Sequence, residues 1–336
     1  MARRDGAAPV ARRATASAAG GGGVTISVCT LAHGRAAHLR NLVQGLSRSR
    51  RAPCELVVAV MQGQAYDLPP TDFPVRQIML GEGGICLAEA RNAAAREARG
   101  ELLVFLDVDC IPDPELVADY AAAAELREGV LMGEVGYLPK GATDGGIDFE
   151  RFQRVAVKHS ERAGPPIAQL GECRDYRCFW SLNFALCAAT FAQEGGFDPR
   201  YVGYGGEDTD FGRTLSSRGI PIWWARGAKA YHQYHPHHMP PVHHLDSVLA
   251  NAAVFADKWG EPTMQHWLRA FRLMGLIEPD GRGGWVKLRE PSAHHLALTR
   301  QQEDQPYASS ALVLGQLEDQ ASRGSDTRRA PSMAAV

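Results

Sequence analysis

Leu102-Leu103-Val104-Phe105-Leu106 is apolar throughout and stops at Asp107-Val108-Asp109. Read as a strand, it delivers two carboxylates to the carboxyl edge of a sheet, where ligands bind in open α/β folds. The pattern before it alternates. Thr25 to Cys29 is a β-branched strand, and His38 to Ser47 carries Leu39, Leu42, Val43 and Leu46 on one helical stripe. Glu55 to Val60 is a second apolar strand and Val75 to Leu80 a weaker third. Leu87 to Arg99 is an Ala-rich helix, with Gly100 as its C′ residue. Strands alternating with helices predict an α/β fold, a mostly parallel sheet flanked by helices.

Pro112 and Pro114 punctuate the turn after the Asp pair, and Glu115 to Leu126 resumes as helix. Beyond Gly133 the regularity fades, and residues 136 to 178 mix Gly, Pro and charge as expected of a long functional loop region. Thr209 to Ser217 and His243 to Trp259 are helical by spacing, the second ending at Gly260. Residues 1–23 and 286–336 are poor in large apolar residues and are expected to be disordered tails, the second mostly so.

A net charge of −2 over 336 residues draws the chain neither to nucleic acid nor to an acidic membrane. No apolar run approaches the ~20 residues that cross a bilayer, so no transmembrane segment is expected. Residues 1–23 contain no hydrophobic stretch of the secretory kind. Seven cysteines with no CxxC pair then fit a reducing cytoplasm.

The Asp pair suits Mg²⁺ or Mn²⁺, which prefer carboxylate and often bridge to a substrate's phosphates. Two carboxylates held by a buried strand repel unless a cation or donor sits between them. Asp109 is the expected metal ligand, and Asp107 is placed to meet a nucleotide's ribose hydroxyls. About a hundred residues later, Gly205-Gly206-Glu207-Asp208-Thr209-Asp210 bends tightly and presents its acids from a helix start. Three acids in four positions exceed what a helix cap needs, and one of them is expected to act as a general base. A histidine-rich stretch follows, with no cysteine partner and no HExxH to suggest structural zinc. One of its members is expected to complete the Asp109 site, His232 first and His235 second. Trp180 has an aromatic face of the kind that stacks on sugars.

Together these residues resemble a glycosyltransferase of the GT-A fold. Residues 26 to 114 resemble the family 2 nucleotide-sugar module in Ile26-Ser27-Val28-Cys29-Thr30 with Arg35, in Ala90-Arg91-Asn92 with Gly100, and in the Asp-x-Asp. Residues 180 to 215 resemble the carboxyl-terminal part of the β-1,4-galactosyltransferases, with Gly195-Gly196-Phe197-Asp198 ahead of the Gly-Gly-Glu-Asp element and Arg213. The resemblance implies a single Rossmann-like catalytic domain, with residues 24–135 binding a nucleotide-sugar donor and residues 136–285 the acceptor. It implies donor contacts from Thr30, Arg35, Arg91, Asn92, Asp107 and Asp109, and a metal held by Asp109 and His232. It further implies acceptor contacts from Trp180, Asn183, Gly206 and Glu207, with Asp208 as the base that deprotonates a carbohydrate or other hydroxyl. One departure concerns the second strand, which ends without the acid that often binds uracil; Gln62 stands there with an amide able to bond a base. The expected reaction is a metal-dependent, inverting transfer from a UDP-sugar. A retaining transferase on the same fold and a silent nucleotide-sugar-binding scaffold are the alternatives.

Overall fold

The computed structural model describes residues 23–329. The expected amino-terminal tail therefore lies, save for Gly23, outside the described residues. The chain runs β1 (Ile26–Ala32), α1 (Ala36–Leu46), β2 (Glu55–Val60), β3 (Val75–Met79), α2 (Leu87–Glu97), β4 (Leu102–Leu106), β5 (Cys110–Pro112) and α3 (Leu116–Leu126). It continues through β6 (Val130–Met132), β7 (Val135–Tyr137), α4 (Phe149–Val155), β8 (Val157–Lys158), β9 (Leu170–Cys173), β10 (Asn183–Cys187), α5 (Ala188–Gln193) and α6 (Glu207–Ser217). Last come β11 (Ile222–Ala225), β12 (Ala230–His232), α7 (Leu245–Trp259), α8 (Gln265–Leu273), β13 (Ile277–Pro279), β14 (Trp285–Lys287), α9 (Ala293–Thr299) and α10 (Ser310–Arg329).

Eight strands form the main sheet in the order β3-β2-β1-β4-β10-β6-β11-β9. β1 to β4 are mutually parallel, β10 reverses between β4 and β6, and β9 reverses at the edge beside β11. The expected mostly parallel sheet is what forms. Side chains alternate across it as the pleat requires. Val28, Leu56, Val58, Val104 and Leu106 pack with Leu39, Leu42 and Val43 of α1 and Val117 and Tyr120 of α3 on one face. Cys29, Val57, Ala59, Leu103 and Phe105 pack with Ala90 and Ala94 of α2 and Phe211 and Leu215 of α6 on the other. Both faces are covered by apolar side chains, so the central strands are apolar on both sides, which is why β2 and β4 read as unbroken runs.

A second sheet, β5-β12-β7-β8, stands at the carboxyl end of β4. It begins three residues after β4 and pairs Cys110 with His232 in antiparallel register. That pairing carries the Asp pair and the histidine stretch to the same place.

Three expectations change. The region 136–178 is not a bare loop but contains α4, β8 and β9, held by short pairings that carry no readable period. The stretch from 286 is not a mostly disordered tail in its described part: α9 and α10 form, and Val313 and Leu317 are buried with Leu268 and Phe271 of α8. Gly100 is not a left-handed C′ residue. The C-cap of α2 is Ala98, already extended, and Gly100 is needed because a Cβ there would lie 2.4 Å from the backbone nitrogen of Ser27.

Candidate active site

Asp109 is the convergence point. It is buried at the end of β4, and Arg35 pairs with its Oδ2. The Nε2 of His232 lies 3.4 Å from Oδ1, and that of His235 lies 3.2 Å from Oδ2. Among the described residues, Asp109, His232 and His235 are the group whose ligand atoms all lie within 4.8 Å of one another. Burial alone would raise the Asp109 pKa, but the two histidines and Arg35 outweigh it and hold the carboxyl well below its usual range. Burial presses His232 down to about 4, so its ring is neutral near pH 7. A carboxylate beside the neutral imidazole of His232 is the protonation state a divalent cation needs. The buried Nδ1 of His232 has no hydrogen-bond partner, a further free nitrogen at the site. One carboxylate oxygen with two imidazole nitrogens is a donor set for a first-row transition-metal dication more than for the oxygen-preferring Mg²⁺.

Arg35 reaches Asp109 from an unusual backbone. Its φ of 51° follows Gly34 at 60° and starts α1 in the left-handed region. Its Nη2 lies 3.3 Å from Nδ1 of His235. A non-glycine residue in that region is costly, and here the ion pair favours it.

The second acidic motif arrives through α6. Gly205 and Gly206 have φ of 94° and 89°, and a Cβ on Gly205 would press within 3.0 Å of Met264 Sδ and 3.1 Å of Trp267. The turn lays Glu207 and Asp208 on the first helical positions. Arg91, fully buried on α2, then joins the two motifs: its Nη2 donates to Asp107 at 3.1 Å and its Nη1 to Glu207 at 3.2 Å. Burial pushes Asp107 up to about 6 in spite of Arg91, with Asp109 adding to the rise. Burial, then Glu207, pushes Asp208 up to about 7. Glu207 is paired; among the described residues Asp208 takes only the backbone N–H of Thr209, at 2.7 Å, and that residue's hydroxyl.

Not every expected residue joins the cluster. Asn92 donates to the Phe197 carbonyl at 2.7 Å and accepts from its N–H at 2.9 Å, so its amide clamps a loop. Asn183 is fully buried, accepting from Tyr120 and donating to Ala228 and Glu134 carbonyls. Both amides are thus engaged within the protein itself. Asp210 pairs with Lys258 and Trp259, both at 2.7 Å, so the third acid of the motif anchors α6 to α7. Gln62 accepts from the Gly34 N–H at 3.0 Å and from Tyr66, bracing the loop that carries Arg35. Thr30 is buried with its hydroxyl unpartnered. Trp180 lies under the Arg162 guanidinium, 5.2 Å from it, with His159 edge-on. The bridging role of Arg91 was not foreseen, and neither were Tyr204 and His237, which flank the cluster. Tyr204 stacks on His244 and Trp267, and His237 packs on His235.

Known proteins are similar to this chain in sequence. Residues 61–146 match the family described as glycosyl transferase family 2. Residues 166–238 match one described as the N-terminal domain of galactosyltransferase, where the motifs had suggested a carboxyl-terminal part. The validoxylamine A glucosyltransferase of Streptomyces hygroscopicus subsp. limoneus is 26% identical over 259 residues, covering 69% of this chain and 56% of that one. An uncharacterized glycosyltransferase of Bacillus subtilis (strain 168) is 26% identical over 230 residues, covering 56% and 57%. The crystal structure of GalNAc-T7 with UDP, GalNAc and Mn²⁺ superposes at a TM-score of 0.46 and 15% identity, covering 63% of this chain and 43% of that one, a likeness too slight to bear on function.

The two family matches fall in the order the motifs gave, and both curated relatives are glycosyltransferases. Part of this chain's first half is thus similar to glycosyl transferase family 2 and part of its second to the galactosyltransferases. The chain spans little more than half the length of the curated relatives described.

Proposed function

We propose that the protein is a metal-dependent, inverting glycosyltransferase, moving a sugar from a nucleotide diphosphate donor to a hydroxyl of a carbohydrate or other acceptor. The observation that carries this is the Arg91 bridge, which makes one site of the donor-side Asp pair and the acceptor-side Glu-Asp pair. A UDP-sugar donor is preferred on the family 2 resemblance.

Asp109, His232 and His235 would hold Mn²⁺, which when bound neutralises charge on the departing diphosphate. The chain's own groups supply the rest. Arg35, half-exposed beside Asp109, can turn its guanidinium to a phosphate, which it matches bidentately. Asp107 faces the ribose hydroxyls. Arg91 neutralises Asp107 and fixes Glu207, whose second oxygen orients the acceptor. Asp208 has no ion pair to Lys or Arg among the described residues, and it accepts the acceptor's proton. A base titrating near 7 is matched to that task at neutral pH. One base opposite the leaving group gives a single displacement, hence inversion.

Transfer assays on a panel of nucleotide sugars, followed by NMR of the product, test this reading. Inverted anomeric configuration is the expected result. Retained configuration would assign Asp208 to acceptor binding alone.

A further inference from the structure

Away from the cleft, a cavity of about 160 Å³ opens between the main sheet and the β7–β8 hairpin. That is more than ten times the ~10–15 Å³ that admits one water. Arg162, Lys158 and Lys229 line it, against the single carboxylate of Glu134. Glu134 is engaged, since its Oε1 accepts from the Gly227 N–H at 2.7 Å. Among the described residues none of the three cations is in an ion pair. Arg162 is only 5% exposed. Its Nη2 reaches the Gly133 carbonyl at a long 3.4 Å, and its buried Nη1 has no partner. The Nζ of Lys158 donates to the Arg162 carbonyl at 2.9 Å, and that of Lys229 rides 4.8 Å from the centre of the Tyr231 ring.

An unpaired buried cation is costly. The rings of Trp180 and Trp224, each 5.2 Å from the guanidinium carbon, offset part of that cost and hold the guanidinium plane in place. A fixed guanidinium with one free donor, two flexible ammonium groups and room for a small polar group is the arrangement that recognises an oxyanion. We propose that this cavity is an oxyanion subsite, taking a carboxylate, sulfate or phosphate group between Arg162, Lys158 and Lys229. The group belongs to an acceptor or to a free inorganic ion. Trp180 stacks on Arg162 on one side and meets His159 on the other, and His159 in turn contacts Tyr137, which packs on His232, so a chain of rings joins cavity and cleft.

Sulfate titrated against the whole protein at constant ionic strength, read by melting temperature and calorimetry, tests the site. Saturable stabilisation is expected, with no such response to chloride. The response should persist in Asp109→Ala, which separates this cavity from the cleft. It should weaken about tenfold or more in Lys158→Gln/Lys229→Gln, whose side chains lie at the rim, and vanish in Arg162→Gln. An equal response to chloride, or an unchanged affinity in the lysine pair variant, overturns the proposal. Arg162→Lys, which keeps the charge, guards against a folding defect and should retain weakened binding.

A second arm, which rests on the transferase reading, compares a uronate-bearing acceptor with its neutral counterpart. A lower KM for the charged acceptor, abolished in the lysine pair variant and raised by sulfate, assigns the group to the acceptor. Equal KM values with sulfate binding intact assign it to a free ion. Sulfate binding without any transfer faults the transferase reading and leaves the subsite standing.

Discussion

Asp208 is the carboxylate on α6 that stands beside a fixed neighbour and remains unpaired. Replacing it with Asn keeps shape but removes the proton acceptor, and loss of a general base costs ~10²–10⁴-fold. kcat should therefore fall by at least about a hundredfold in Asp208→Asn, with donor affinity close to wild type. In the wild type, kcat should climb as pH rises through about 7. The sign for stability is opposite. With its pKa raised from 3.8 to about 7, the folded protein holds a proton that the unfolded chain sheds over that interval. Stability contributed by Asp208 is then full below about pH 4 and is lost by about pH 7. Urea titrations should show Asp208→Asn gaining on the wild type across that window, and a gap that stays constant with pH would refute the shift. Arg91 gives a separate prediction. Arg91→Met strands Asp107 and Glu207 together, and breaking such a buried pair costs ~3–5 kcal/mol. A fall in Tm of roughly 4–7 °C should be seen by calorimetry, and a fall under about 2 °C would show the bridge to be dispensable. At this scale the acids and the two histidines were readable because charge at a strand or helix end has few other uses. Asn92, Asn183 and Asp210 were not, since an amide or acid spent on a backbone or a distant lysine looks the same in sequence as one kept for a ligand.

Elements were legible where periodicity was strong. β2 and β4 run as read, and α1, α2 and α3 lie within two residues of their expected ends. The failures fall on weak patterns. β7, β8 and β9 are two to four residues long and take their order from partners distant in sequence. α10 presents few large apolar residues, and its packing depends on the strongly amphipathic α8, which supplies Leu268 and Phe271 as its counterpart. Deleting residues 306–336 should then lower stability, because it uncovers that face. Val313 and Leu317 are each worth ~1.5–3 kcal/mol when buried. A drop of about 3–6 kcal/mol in unfolding free energy is expected by urea titration. Wild-type stability in the truncated chain would return this segment to the status of a tail.

At the scale of the whole molecule, the fold positions chemistry by bringing two sequence-distant regions to one edge. β4 ends at the Asp pair, β12 pairs with β5 to return the histidines, and α2 passes behind with Arg91. The sheet was foreseeable from alternation, whereas the reversed strand β10 and the second sheet were not, because short non-local pairings have no local signature. No described helix is long and apolar enough to cross a membrane. The central claim is that this edge cleaves a nucleotide sugar with the help of a divalent cation. The most direct test is release of nucleotide diphosphate from a panel of nucleotide sugars, with and without Mn²⁺, by the wild type and by Asp109→Ala. Mn²⁺-dependent release is expected from at least one donor, a UDP-sugar first, and none from Asp109→Ala. Release by Asp109→Ala at the wild-type rate, or none from any donor by either protein, would contradict that claim.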